Sequence, residues 1–215
     1  MKQGPTDEIA GVEELRHAVI SDAMAILRSA STPTPLFRSA MRLVARGLVY
    51  EGTRNLPLIA TSIQTPLEET EALRLAGPVV AIPILRAGLG LLSEFLDLVP
   101  GSAAGFIGLK RDEETLKPRE YYRNLPPVKG ASLFILDPMI ATGGSVLATL
   151  RALQDTEAAD TTLLSVIAAP EGLEAIRYAF PDVRIVVASL DRGLNDKGYI
   201  LPGLGDAGDR LCATP

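Results

Sequence analysis

ASLFILDPMIATGGSVLATLRAL, residues 131–153, reads as a strand, a tight turn and a helix. Its first six residues, apolar except for Ser132, fit a buried strand that ends at an acid, Asp137. Val146, Leu150 and Leu153 then recur at helical spacing. Between the two lie Pro138, Met139, Ile140, Ala141, Thr142, Gly143, Gly144 and Ser145. A strand-to-helix turn of this composition aims backbone N–H groups and the positive helix end at one point, and a phosphate suits that point. Asp137 would repel a phosphate, so it is expected to face sugar hydroxyls or a divalent cation. An ordinary helix cap explains the threonine and the glycines, but not the acid before them. A nucleoside-triphosphate P-loop is excluded, because no Gly-Lys-Ser/Thr follows at the required spacing.

Outward from this unit, the pattern alternates strands and helices. Residues 7–30 and 36–50 read as helices, 58–64 as a short strand and 68–75 as a third helix. Residues 79–85 fit a central strand, although Pro83 argues against full ladder pairing. A helix begins near Gly90. Residues 106–110 and 121–125 are short strands around a charged loop, which predicts a projecting β-arm over 106–125. Strands at 161–168 and 184–190 flank a helix at 171–179. The expected fold is α/β, a mostly parallel twisted sheet with helices on both faces. Ligands in such sheets bind at the C-terminal strand ends.

The bulk numbers narrow the function classes. A chain of 215 residues suits one domain spanning 1–215. Its 47% apolar and 22% charged content is that of an ordinary globular protein. A formal charge of −5 disfavours nonspecific nucleic-acid binding. Cys212 is the only cysteine and His17 the only histidine, which excludes an internal disulfide, a cysteine zinc site and a histidine cluster. His17 reads as a helix-surface or packing residue. With no secretory signal and no apolar run of the roughly 18 residues a span requires, the expectation is a cytoplasmic protein without membrane or nucleic-acid partners.

Three further segments invite chemistry. PILRAGLG, residues 83–90, is a weak match to a dinucleotide loop, since Ser93 stands where the third glycine belongs. A diphosphate loop with Arg86 as its charged fork is the alternative, beside a plain tight turn. The charged loop 110–120 reads as a solvated loop or as a lid carrying Arg111 over an anionic substrate. Residues 190–210 hold five glycines between 193 and 208. A loop so tightly turned presents backbone N–H and C=O groups, which suit the edge of a small polar heterocycle.

Together, DPMIATGGS, PILRAGLG, the run GLKRDEETLKPREYY (108–122) and LNDKGYILPGLGDAGDR (194–210) resemble the uracil phosphoribosyltransferases. YEGTRNLP (50–57) resembles that family's N-terminal pattern. The first segment alone marks a type I phosphoribosyltransferase, and GYILPGLGDAGDR is the part that points to uracil. The resemblance implies transfer of a 5-phosphoribosyl group from 5-phosphoribosyl 1-diphosphate to uracil, giving uridine monophosphate and diphosphate in pyrimidine salvage. It implies that Asp137 binds ribose hydroxyls while Ala141 to Ser145 cradle the 5′-phosphate, with Pro138, Met139 and Ile140 also lining the ribosyl-diphosphate site. Arg86 and Arg111 would hold the diphosphate. Ile200, Gly205, Asp206 and Ala207, in a base-recognition segment at 190–211, would bind uracil, with Asp206 also near the ribosyl substrate. Asp206 and Arg111 are the candidate catalytic residues. Magnesium would arrive with the diphosphate, without direct protein ligands. The resemblance also implies a homo-oligomer and, as in some members, a GTP effector, although no basic cluster outside the site points to an effector pocket.

Three positions depart from the pattern. Asp137-Pro138 replaces the two adjacent acids of many phosphoribosyltransferases, as is usual in the uracil enzymes. HAVISDAM (17–24) lacks the expected proline and later basic residues, and Asn124 stands where lysine is expected. Two other readings remain open here: a pyrimidine-responsive regulator that binds RNA, and a phosphoribosyltransferase for another base.

Overall fold

A computed structural model describes residues 11–111 and 118–214, with 109–111 and 118–119 described by backbone alone. The elements begin with β1 (Val12–Glu14), α1 (Ala18–Arg28), α2 (Thr34–Gly52), β2 (Leu58–Gln64) and β3 (Glu69–Leu75). Next come β4 (Val79–Pro83), α3 (Leu89–Leu98), β5 (Ala103–Ala104), β6 (Phe106–Arg111) and β7 (Pro118–Asn124). Then follow β8 (Ser132–Leu136), β9 (Met139–Ile140), α4 (Gly144–Leu153), β10 (Asp160–Ala168) and α5 (Pro170–Ala179). The chain finishes with β11 (Arg184–Leu190), β12 (Gly193–Leu194), β13 (Ile200–Leu201) and α6 (Ala207–Cys212).

The α/β expectation holds. Seven strands form one sheet in the order β1-β11-β10-β8-β4-β5, with β9 also on β10, and every pair in it is parallel. Strand side chains alternate between faces, so a run that is apolar throughout builds two cores at once. In β8, Leu133 and Ile135 enter the layer of α4 and α5, whereas Phe134 and Leu136 enter the layer of α1, α2, α3 and α6. Phe134 meets Phe95 of α3 at a ring-centroid distance of 4.9 Å and a 49° tilt, a contact adding about 0.5–1.5 kcal/mol beyond area burial. β4 behaves alike, and Pro83 is tolerated because it is the last strand residue, opposite Leu136.

From β4 the chain moves to β5 on one side, while β8 lies on the other side and leads on to β10 and β11. The crevice outside the C-terminal ends of β4 and β8 is therefore the point where strand order reverses, the place such sheets reserve for ligands.

Two expectations are corrected. Within the stretch read as a helix at 7–30, Val12–Glu14 is a parallel edge strand on Ile185–Val187, and α1 starts only at Ala18; residues 7–10 lie outside the described residues. His17 is the helix cap, its Nδ1 accepting the Val19 N–H at 3.2 Å. Residues 68–75, rich in helix-forming glutamates, instead form β3, paired antiparallel with β2 along seven residues. Thr65 closes that turn, its hydroxyl accepting the Leu67 and Glu68 N–H groups. Cross-strand pairing overrode local helix propensity.

The predicted arm is present as β6 and β7, an antiparallel pair with an irregularity between Gly108 and Leu109. Its base is anchored through fully buried Ile107, which bridges to Ile84. Among the described residues no helix is long and apolar enough to cross a membrane.

Candidate active site

At the end of β8 the Asp137 N–H donates to the Leu164 carbonyl at 3.1 Å. The Asp137 carboxyl is buried, and the Met139 N–H approaches its Oδ1 at a long 3.4 Å. Burial raises its pKa to about 7, against a weaker lowering by that N–H. The chain then passes through buried Pro138, half-buried Met139, buried Ile140 and half-buried Ala141. Gly143 sits at the α4 N-cap with φ 76°, a left-handed conformation that favours glycine. No side chain caps this helix, so its first N–H groups face the loop that Thr142, Gly144 and Ser145 share. Thr142 and Ser145 are exposed.

The Arg86 loop starts beside this point. The Ile84 N–H donates to the Leu136 carbonyl at 2.9 Å. A Cβ on Gly88 would stand 2.4 Å from that same carbonyl, so only glycine allows the turn. The Leu85–Arg86 peptide is cis. Arg86 is exposed, and its Nη2 donates to Asp209 Oδ1 at 3.2 Å. The side chain of Arg111, the second expected diphosphate ligand, lies outside the described residues, as do residues 112–117 of the predicted lid.

The C-terminal segment forms a small antiparallel pair, β12 with β13. Asn195 Oδ1 shapes its turn by accepting the Lys197 and Tyr199 N–H groups, each at 3.0 Å. Ile200 and Ala207 are buried, while Gly205 and Asp206 are exposed. Asp206 caps α6 by accepting the Asp209 N–H at 2.9 Å. The Arg86–Asp209 contact brings the start of α6 against the loop after β4. Thus Arg86 and the Asp206 turn, 120 residues apart in sequence, share one side of the crevice. The Gly193 end joins the opposite side through Glu171, whose Oε1 accepts the Leu194 N–H at 2.9 Å.

A basic cluster that the sequence concealed lies beside these loops. Arg38 and Arg42, one turn apart on α2, line a cleft of about 250 Å³ together with Arg86, Ser93, Leu211 and Cys212. The Arg38 Nε donates to the Leu211 carbonyl at 2.7 Å. Buried Glu94 beneath them takes Arg46 at 2.5 Å and Arg42 at 4.0 Å.

A family model described as Uracil phosphoribosyltransferase matches residues 14–214. The chain belongs to the uracil phosphoribosyltransferase family. It is 47% identical to the uracil phosphoribosyltransferase of Chlamydia muridarum, across 98% of this chain and 72% of that one. It is 45% identical to that of Limosilactobacillus fermentum, across 94% and 98%. Among solved structures, the AQ2163 protein of Aquifex aeolicus superposes with a TM-score of 0.89 at 40% identity, covering 94% of this chain and 98% of that one. A hypoxanthine phosphoribosyltransferase from Staphylococcus aureus, 10% identical and covering 72% and 75%, superposes at 0.50 and shares the fold.

Sequence reading of this family member missed Gly172, at the start of α5. A Cβ there would stand 2.3 Å from the Ala141 carbonyl and 2.9 Å from Ile140 Cγ2. A Cβ on Gly143 would likewise stand close to the Gly172 carbonyl, at 2.9 Å. The signal was one more glycine in a helix, with nothing local to say what lay behind it. Gly172→Ala is expected to displace residues 140–143 and lower stability by about 1–3 kcal/mol. Urea unfolding checks this, and an unchanged midpoint would refute the contact's importance.

Asp137 yields a pH prediction. Its carboxyl keeps a proton in the native state up to about pH 7 but loses it near the ordinary aspartate value of 3.8 when unfolded. Between those values the native state binds more protons, so stability falls as pH rises, by up to about 1.4 kcal/mol per pH unit from this group. Asp137→Asn should match the wild type near pH 4 and exceed it by about 2–4 kcal/mol at pH 8. Chemical denaturation at the two pH values reads the difference; a gap that does not widen with pH contradicts it.

Proposed function

We propose that this chain transfers the 5-phosphoribosyl group of 5-phosphoribosyl 1-diphosphate to uracil, giving uridine monophosphate and diphosphate. The observation that carries this reading is the meeting, at one switch point, of an uncapped helix start with a left-handed glycine and of a glycine loop bearing Arg86. The names of the relatives agree with it. The 5′-phosphate would sit on the N–H groups of residues 141–145 at the positive end of α4. Ribose hydroxyls would donate to Asp137, and their arrival favours its charged form. Arg86, with Arg111, would take the diphosphate.

Breaking the anomeric C–O bond builds positive charge on the ribose ring and negative charge on the leaving diphosphate. Asp137 and Asp206 suit the first, and the arginines suit the second. Among the described residues no three histidine, cysteine or carboxylate side chains gather as a metal cage. Magnesium would arrive with the diphosphate, where it would supply neutralising charge. Uracil would be read by the backbone around Ile200, Gly205, Asp206 and Ala207. No general base for its N–H is needed if positioning and electrostatics carry the step. A reactive ribosyl cation needs water kept out, a task for the β6–β7 arm.

Product formation from uracil, 5-phosphoribosyl 1-diphosphate and magnesium tests this. Arg86→Ala and Asp206→Ala should each lower kcat/KM by about 10²–10⁴-fold while staying folded. Folded wild type that makes no uridine monophosphate, or that prefers another base in a panel, would overturn the assignment.

We further read residues 1–215 as one cytoplasmic domain acting as a homo-oligomer. The β2–β3 hairpin supports the oligomer: Leu58, Ile59, Ile63, Leu67, Leu73 and Leu75 are all exposed, Leu67 at 94%. A two-stranded ribbon this apolar is marginal alone and calls for cover. GTP, an effector in some of the family, would find cationic partners in Arg38 and Arg42. Analytical ultracentrifugation should show a dimer or larger species for the wild type and monomer for Leu73→Asp. An unchanged assembly would remove the hairpin from the interface.

A further inference from the structure

Gly203 lies in the middle of the segment assigned above to the base, and an ion pair holds both of its backbone polar groups. The Asp191 side chain is 1% exposed and that of its partner Arg28 25%. Arg28 Nη1 donates to Asp191 Oδ2 at 2.9 Å, and Nη2 donates to Asp191 Oδ1. The same guanidinium donates to the Gly203 carbonyl at 2.9 Å and to Ser189 Oγ at 3.0 Å. The Gly203 N–H donates back to Asp191 Oδ2 at 2.8 Å. Gly203 has φ 69°, and a Cβ there would stand 2.4 Å from the Ile200 carbonyl, so no side chain could fix this turn from within.

The next residue is held by a second arginine. Arg210 Nη1 donates to the Leu204 carbonyl at 2.7 Å and to the Leu27 carbonyl at 2.5 Å. Its Nη2 reaches the Ser29 carbonyl at 2.7 Å, and its guanidinium lies 4.2 Å from the Phe37 ring centroid. Residues 203 and 204 are thereby fastened to the last turn of α1.

A heterocycle read through backbone groups is read only as accurately as the backbone is held, and a glycine-rich loop has little side-chain packing to hold it. A buried ion pair is a poor stabiliser compared with apolar packing of similar volume. What the fork supplies here is direction, with one guanidinium addressing carboxylate, hydroxyl and carbonyl together. We infer that Arg28 and Asp191 are positioning residues for base recognition, setting the backbone of residues 200–207 from the N-terminal helix. The inference rests on the reading of that segment as the uracil site.

The test compares Arg28→Met, Arg28→Lys and Asp191→Asn with wild type. Arg28→Lys keeps the charge but not the fork, and serves where Arg28→Met does not fold. Kinetics are measured against each substrate, and amide exchange along the chain. The uracil KM should rise about 10–100-fold while that of 5-phosphoribosyl 1-diphosphate stays within about threefold. Arg28→Lys should fall between wild type and Arg28→Met. Exchange should quicken at residues 203–205 and stay unchanged at 143–146. Two KM values that rise together, or a lowered melting temperature with an unchanged uracil KM, would overturn the inference. A wild type inactive with uracil refutes the proposed function instead. Exchange then decides the clamp by itself, and unchanged protection at 203–205 in the variants sinks it.

Discussion

The hydrogen bond from the Ile84 N–H to the Leu136 carbonyl fixes where everything else at the crevice begins. It closes the parallel pair β4–β8 at its C-terminal end, after two strands with apolar side chains on both faces. Beyond it, one chain must turn immediately into the Arg86 loop and the other into the Asp137 loop. The space between them is so small that Gly88 has no room for a Cβ against the same carbonyl. Parallel strands leave their ends together and their loops without partners, so this one bond makes two distant pieces of sequence neighbours.

Two buried acids near the strand ends show opposite solutions to the same problem. Removing a carboxylate from water is costly unless donors replace it. Asp191 is supplied with a guanidinium fork and a backbone N–H, and its charge is spent on holding a turn. Asp137 has a single long contact from Met139, and its proton affinity rises accordingly. The first is a finished structural joint. The second is a carboxyl still short of donors, as expected of a group whose partners come with a ligand.

The sheet and its loops were legible because their signals are local. A mostly apolar six-residue run, a Thr-Gly-Gly-Ser turn and helical spacing after it sit within 23 residues, and the structure reproduces them. The segment 68–75 was misread because its composition favours a helix, whereas its partner strand decides the outcome through contacts outside the window. Val12 to Glu14 failed likewise, since β1 exists only by pairing with β11. Among the candidate site residues, Arg86, Asp137 and Asp206 stood out as charges in or beside glycine-rich turns. Arg28 and Gly172 did not, because their meaning lies in contacts with Asp191, 163 residues away, and with Ala141. Arg38 and Arg42 carry no local signal, because only the folding of α6 against α2 brings them beside Arg86.

The two cores on either side of the sheet have a metrical consequence. Leu204 and Ala207 belong to the core of α1, α2, α3 and α6, and residues 203 and 204 are tied to α1. Ile140 belongs to the core of α4 and α5, and both Ile140 and Gly143 close on α5 at Gly172. Each end of a nucleotide would thus be gripped by a jaw mounted on a different face of the sheet. The sheet between them is a stiff, close-packed spacer. The gauge of the opening is then set by the thickness of a layer rather than by the slack of its loops. On the proposed function, a ligand of the wrong length would meet the resistance of the whole fold.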